Sequence, residues 1–273
     1  MRRLVMPAFS DRAIQRQEPA LQAHVTRLIQ QLNDRQSRPV DIGKQMSYLT
    51  FDILGEVGFG ESFNTLQSKL NRFLVELLFM LPKAGVMAAS LNGMSILKPL
   101  LLLILPRGIL AQSRTLWQVC REKVRQRIEM SDEDRGDIMS WFQGNGDAKG
   151  LSIPELEANG FLLIFAGAET TGSLLAAAVH LLAKHPAKLA MLQREIDSHY
   201  SSLAAIDFQT CARLPYLNAV LKEYLRVAAP IPGELPRQVP KPGALVSSVF
   251  VPGNVSTHMR CDFFSPNIIS SHD

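Results

Sequence analysis

Residues 152–185, SIPELEANGFLLIFAGAETTGSLLAAAVHLLAKH, decide the fold. Ser152 and Glu155 stand at the spacing of a capping box with Pro154 in the first turn, a strong helix-start signal. Nothing in the following sequence obliges the helix to end before Pro186, so one helix is predicted over about 153–185, roughly 48 Å long at 1.5 Å per residue. Its middle is apolar on nearly all sides, which predicts a path through the centre of a domain. One stretch departs from that pattern: Ala166-Gly167-Ala168-Glu169-Thr170-Thr171. Glycine inside a helix costs about 1 kcal/mol against alanine. Paired threonines are stiff, and their hydroxyls can bond back to carbonyls and bend the helix. A carboxylate in apolar surroundings resists ionisation unless it is paired or wetted. These residues alone support two readings. One is a small-residue crossing with a single acid turned to water. The other is an acid beside an alcohol, next to a groove opened by glycine, relaying protons to a ligand on the helix.

Phe161 to Ala183 is also long enough to span a bilayer, but Glu169 near its middle costs about 2.5–3.5 kcal/mol on insertion scales. The run of three alanines, with Gly167 and Gly172, suits packing against protein, so a buried helix of a soluble domain is expected. Leu97 to Leu105 is apolar but broken by Pro99 and closed by Pro106, too short to cross and suited to an interface or a core. The remaining pattern is helical. Leu21, Val25, Leu28, Ile29 and Leu32 form an amphipathic stripe within Ser10 to Gln36. Further helices are predicted over Ile42 to about Val57 with Asp41 as cap, Leu66 to Leu81, Ile109 to Met130, Pro186 to about Tyr200, and about 214–228. Asp132 to Asp147 is partly polar, anchored by Ile138, Trp141 and Phe142. Prolines at 230, 232, 236, 240 and 242 then impose extended chain, and Ala244 to Val255 offers one or two short strands. The expectation is a single, mainly α domain over 1–273 with a long central helix and a small β region near the C-terminus.

The 273 residues are 47% apolar and 20% charged, with a net charge of +4. That is ample core material, and the basic residues are scattered. The densest run, Arg121, Lys123, Arg125 and Arg127, reads as a solvated helix face, and no nucleic-acid partner is expected. Cys120, Cys211 and Cys261 are odd in number and far apart, which argues against a disulfide framework or a metal site and for a thiol-keeping compartment. Met1-Arg-Arg-Leu-Val-Met-Pro has no apolar run behind it and is not a secretory signal.

Lys222-Glu223-Tyr224-Leu225-Arg226 places Glu223 and Arg226 side by side on a helix. Alone this is an exposed ion pair. A stiff segment follows, Pro230-Ile-Pro-Gly-Glu-Leu-Pro-Arg237, able to aim a guanidinium at a carboxylate or phosphate. In this order, these features resemble the cytochrome P450 family. The Ala-Gly-Ala-Glu-Thr-Thr helix looks like that family's oxygen-activating helix, which implies proton delivery by Glu169 and Thr170 and an oxygen groove at Gly167 and Ala168. Leu214-Pro-Tyr-Leu-Asn-Ala-Val-Leu-Lys-Glu-Tyr-Leu-Arg-Val resembles the family's E-x-x-R helix, in which the pair matched by Glu223 and Arg226 is structural and buried. Arg237 matches an arginine that grips a heme propionate, and Arg2 a second one. Thr50-Phe-Asp-Ile-Leu-Gly-Glu-Val-Gly-Phe-Gly and Asp137-Ile-Met-Ser read like filamentous-fungal members.

The resemblance implies heme as cofactor, a lipophilic small-molecule substrate of fungal secondary metabolism and NADPH-cytochrome P450 reductase as partner; members of the family are usually anchored to the endoplasmic reticulum facing the cytosol, but this stretch of sequence offers no anchor from which to assign a location. Peripheral membrane contact would run through Leu97–Leu105. The family's glycine-rich heme loop ending in cysteine has no match. Cys261 sits in Met-Arg-Cys-Asp-Phe-Phe, too near Arg226 and without glycine to let the backbone approach a heme. The chain is therefore expected to be an incomplete P450 prism, inactive alone and prone to aggregate through bare apolar surface. Two other classes compete: a non-catalytic α-helical protein that binds a lipid or partner, and a membrane protein built on Phe161–Ala183.

Overall fold

A computed structural model describes residues 6–35, 38–79, 107–130, 136–144, 150–230, 235–246 and 248–259. Arg2, Leu97–Leu105 and Cys261 lie outside them, and of Arg237 only the backbone is described. The described chain is mainly helical: α1 Asp11–Asn33, α2 Ile42–Phe59, α3 72–79, α4 Arg107–Glu129, α5 Ile138–Gln143, α6 Ile153–Lys184, α7 Pro186–His199, α8 Phe208–Cys211 and α9 Pro215–Val227. Four short strands follow: β1 Leu235–Gln238, β2 Gly243–Val246, β3 Val249–Pro252 and β4 Ser256–Met259. β1 pairs antiparallel with β4 and β2 with β3. Pro236 stands in β1 opposite His258, in a two-stranded pair of edge strands, the setting in which strands tolerate proline.

The core lies where α2 crosses α6. Phe51, Phe59, Leu66, Leu78, Leu116, Val124, Met139 and Ile164 are almost wholly excluded from solvent around that crossing. α2 begins on the Asp41 carboxylate, which accepts from Lys44 N at 3.1 Å, and ends on Gly60 at φ 71, the left-handed cap glycine adopts without strain. α6 runs 32 residues, as its spacing predicts, and Glu155 Oε2 accepts from Ser152 N at 2.8 Å and from Ser152 Oγ at 2.7 Å.

The structure corrects three expectations. The third helix does not start at Leu66. The fully buried Asp52 carboxylate accepts from Thr65 N at 2.7 Å, from Thr65 Oγ1 at 3.0 Å and from Leu66 N at 2.9 Å, so those donors are fixed in a loop and the helix starts at 72. The basic run on α4 is only in part a solvated face: Arg125 and Arg121 stay 58% and 44% exposed, but Lys123 and Arg127 do not. Arg127 is 2% exposed and donates to Asp137 at 2.8 Å, while Lys123 reaches Glu61 at 2.6 Å. Glu157 of α6 takes a hydrogen bond from Arg125 Nε at 3.1 Å, and Arg121 Nε sits 2.9 Å away as an ion pair without hydrogen-bond alignment. A basic residue every second position meets carboxylates from three neighbouring segments. Finally, α6 is not buried on all sides by the described residues: Leu162 is 57% and Val179 40% exposed.

Candidate functional site

The two faces of α6 differ in kind. The inner face is the stripe Leu156, Gly160, Ile164, Ala168 and Gly172, all buried and spaced by four. That spacing makes one ridge along a helix, and its small members let a second backbone approach closely. A Cβ on Gly172 would stand 2.9 Å from Thr50 Oγ1 and 3.1 Å from Ser47 Cα, both on α2. At Gly160 it would meet Val124 and Phe59, and at Gly167 Leu54 Cδ1 at 2.9 Å. Thr50 Oγ1 donates to the Ala168 carbonyl at 2.8 Å, joining the two helices through a buried polar contact.

The outer face carries Leu162, Ala166, Glu169 and Thr170. Ala166 is exposed, and Glu169 and Thr170 are half-buried. Thr170 Oγ1 donates to the Ala166 carbonyl four residues back at 2.7 Å. Threonine in a helix divides between two χ1 rotamers because one of them makes this bond. The hydroxyl therefore has a resting partner on its own helix and a second position pointing away from it. Of the two groove positions expected from sequence, Gly167 lies against Leu54 and Ala168 is buried against α2. The residue on Thr170's own side of the turn is Ala166, which the sequence reading passed over, although its i, i+4 spacing to Thr170 was available.

Glu223 and Arg226 form the expected pair. Arg226 Nε and Nη2 donate to the two Glu223 oxygens at 2.7 and 2.6 Å, a fork geometry. The guanidinium holds the Glu223 carboxyl below its ordinary range, and the carboxylate raises Arg226 in turn. The pair is half-buried rather than buried, with side chains 37% and 22% exposed. Only Tyr224 of α9 is buried, because α9 packs on α6 and α7 along one side. Glu195 of α7 was not foreseen. Its two carboxylate oxygens accept from Tyr216 N and Leu217 N at 2.8 Å each, capping α9 from outside. The available signal was the absence of a capping side chain at Leu214, which leaves the first donors of α9 in need of a foreign acceptor.

Among the described residues no cluster of three or more His, Cys, Asp or Glu side chains could hold a metal ion. Cys120 is fully buried, and burial pushes its thiol up to about 12. Cys211 is half-buried with its sulfur 3.4 Å from the Tyr200 hydroxyl. Two modest cavities flank α1. One of about 150 Å³ touches Arg12, Arg16 and Trp141, and one of about 240 Å³ touches Gln17, Glu56 and Asp137. Neither reaches Glu169 or Thr170.

Comparison with known proteins follows this geometry. The sequence pattern described as Cytochrome P450 matches residues 1–256. The chain is 37% identical over 281 residues to the trichothecene C-15 hydroxylase of Fusarium sporotrichioides, covering 100% of this chain and 57% of that protein. It is 35% identical over 258 residues to the cytochrome P450 monooxygenase astJ of Aspergillus oryzae, covering 93% and 51%. The chain thus spans about half the length of the curated relatives it matches. Among solved structures, the cytochrome P450DA heme domain superposes with a TM-score of 0.73 at 21% identity, over 94% of this chain and 55% of that one.

Proposed function

The chain belongs to the cytochrome P450 family, and from that premise we propose that it is the central part of a fungal heme monooxygenase that oxidises a lipophilic secondary metabolite. The observation that carries this reading is the acid–alcohol turn on the outer face of α6, with Thr170 Oγ1 resting on the Ala166 carbonyl. Support comes from relatives named as monooxygenases and as a hydroxylase. That face would suit a porphyrin: Ala166 is small and exposed, Leu162 is apolar and exposed, and Glu169 and Thr170 stand half-buried beside them. Arg237 and Arg2 would hold the propionates. Heme supplies the oxygen-activating redox chemistry.

The chain's own residues do the rest. Glu169, half-buried, takes a proton at its carboxylate from water. The Thr170 hydroxyl rotates off Ala166, accepts the proton's hydrogen bond from that side and donates outward to the ligand. Gly167 permits the close packing on Leu54 that fixes the turn. Glu223 and Arg226 hold α9, and Glu195 fixes where α9 begins. NADPH-cytochrome P450 reductase is the expected electron donor.

A thiolate to hold the heme iron is a separate matter. A thiolate at Cys120 is opposed by burial, Cys211 is engaged with Tyr200, and Cys261 lacks neighbouring glycines. These 273 residues alone are therefore proposed to be inactive, and hemin-loaded chain reduced under CO should give no thiolate-type band; a clean one would overturn that part. The monooxygenase reading is tested with Thr170→Val in the full-length monooxygenase of which this chain is proposed to be the central part. Peroxide released per NADPH consumed should rise about tenfold, less than the ~10²–10⁴-fold a proton-transfer group contributes to a rate, because this ratio saturates at one peroxide per NADPH. An unchanged ratio would contradict it.

A further inference from the structure

Thr50 opens the stretch Thr50–Gly60 and has no part in the proton route above, yet it is buried at 5% exposure in the α2–α6 seam. Three carbonyl oxygens lie within reach of its hydroxyl: Ala168 at 2.8 Å across the seam, Met46 at 3.1 Å and Ser47 at 3.2 Å on its own helix. A hydroxyl donates one proton, and the shortest path crosses to α6. In an α-helix the Ala168 carbonyl also accepts from the N–H four residues on, at Gly172, so the acceptor is shared. A side chain inserted at a ladder carbonyl weakens that ladder bond and bends the helix locally. Gly172 is what lets Thr50 arrive, since a Cβ there would sit 2.9 Å from Thr50 Oγ1. Two residues earlier the Ala166 carbonyl is taken by Thr170 at 2.7 Å. Residues two apart lie some 200° apart around a helix. Two threonine hydroxyls, one from each side, thus draw on two carbonyls of a single turn, and Glu169 follows directly.

We propose that Thr50 is a positioning residue for the Glu169–Thr170 turn, sharing the Ala168 carbonyl so that the turn stays open toward the outer face. This rests on the proton-delivery reading of that turn. The test uses Thr50→Val, which keeps shape and removes the proton donor, and Thr50→Ser, which keeps the donor. Residue-resolved amide exchange is measured at Gly172, with Leu182 as an internal control and thermal melts for each variant. With Ala168 returned to its ladder partner, Gly172 should exchange about two- to tenfold more slowly in the valine variant, the span one hydrogen bond supports. The serine variant should restore the original rate. Equal rates in all three proteins, or serine behaving as valine, would overturn the proposal. In the full-length monooxygenase, Thr50→Val should also raise the peroxide leak, by less than Thr170→Val. A leak raised by Thr170→Val but not by Thr50→Val would overturn the positioning role alone. A Thr170→Val protein with unchanged coupling would sink the proton-delivery reading and leave the exchange result to judge the carbonyl contact.

Discussion

The inner and outer faces of α6 are built from similar amounts of apolar sequence and behave oppositely. Inside, Gly160, Ile164, Ala168 and Gly172 are buried against α2 and α4, with Thr50 spanning the seam. Outside, Leu162 is 57% exposed, Ala166 is bare, and an acid and an alcohol stand half-buried beside them. Small residues on the inner face bring a backbone close, whereas the one on the outer face leaves space. A single helix thus serves as a structural beam on one side and, in our reading, as the floor of a reaction chamber on the other.

The sharpest way to break this contrast is Gly172→Val. Its side chain would push Thr50 and the Ser47 backbone, and backbone cannot yield cheaply. A loss of about 3 kcal/mol in urea unfolding is expected, at the upper end for overpacking. A loss below about 0.5 kcal/mol would mean the seam is slack. Glu157→Ala should cost about 1 kcal/mol: the carboxylate is 9% exposed, but Arg121 and Arg125, 44% and 58% exposed, can turn to water when it is lost. Leu162→Ala, on the outer face, should change stability by no more than about 0.5 kcal/mol. An effect equal to that of Gly172→Val would erase the distinction between the faces.

Acid sharpens the comparison further. Burial holds His24, between α1 and α2, below its ordinary value of 6.5, with Glu56 3.8 Å away. A base that resists protonation when folded contributes stability that is complete above 6.5 and is lost as the pH falls toward its lowered value, because the unfolded chain takes the proton first. Glu223, held low by Arg226, acts in the same direction, stabilising above the ordinary carboxylate range and ceasing to do so in stronger acid. His24→Gln should flatten the fall in melting temperature between about pH 7 and pH 5. An unaltered slope would assign that fall to other groups.

Much of this was legible in the sequence, and the reasons differ by element. α6 was readable because its start is marked by Ser152, Pro154 and Glu155 and its end by Pro186. α2 announced both ends, with Asp41 and Gly60 as caps. The Glu223–Arg226 fork followed from a spacing of three. What periodicity could not show was side chains acting at a distance in sequence. Asp52 captures the donors of Thr65 and Leu66 and delays α3, Asp137 buries Arg127, and Glu195 caps α9 from another helix. Each is a carboxylate whose partner lies 10 to 22 residues away. The inner and outer sides of α6 were likewise hidden, since both are apolar and only the position of α2 separates them.

The claim that the outer face receives the porphyrin is tested most directly by side-chain footprinting of α6 with and without hemin. Labelling of Leu162, 57% exposed without hemin, should fall toward that of a buried side chain once hemin absorbance shows binding. Ile164, 1% exposed, should stay unlabelled throughout. Binding that leaves Leu162 as reactive as before, or no hemin binding at all, would contradict the account.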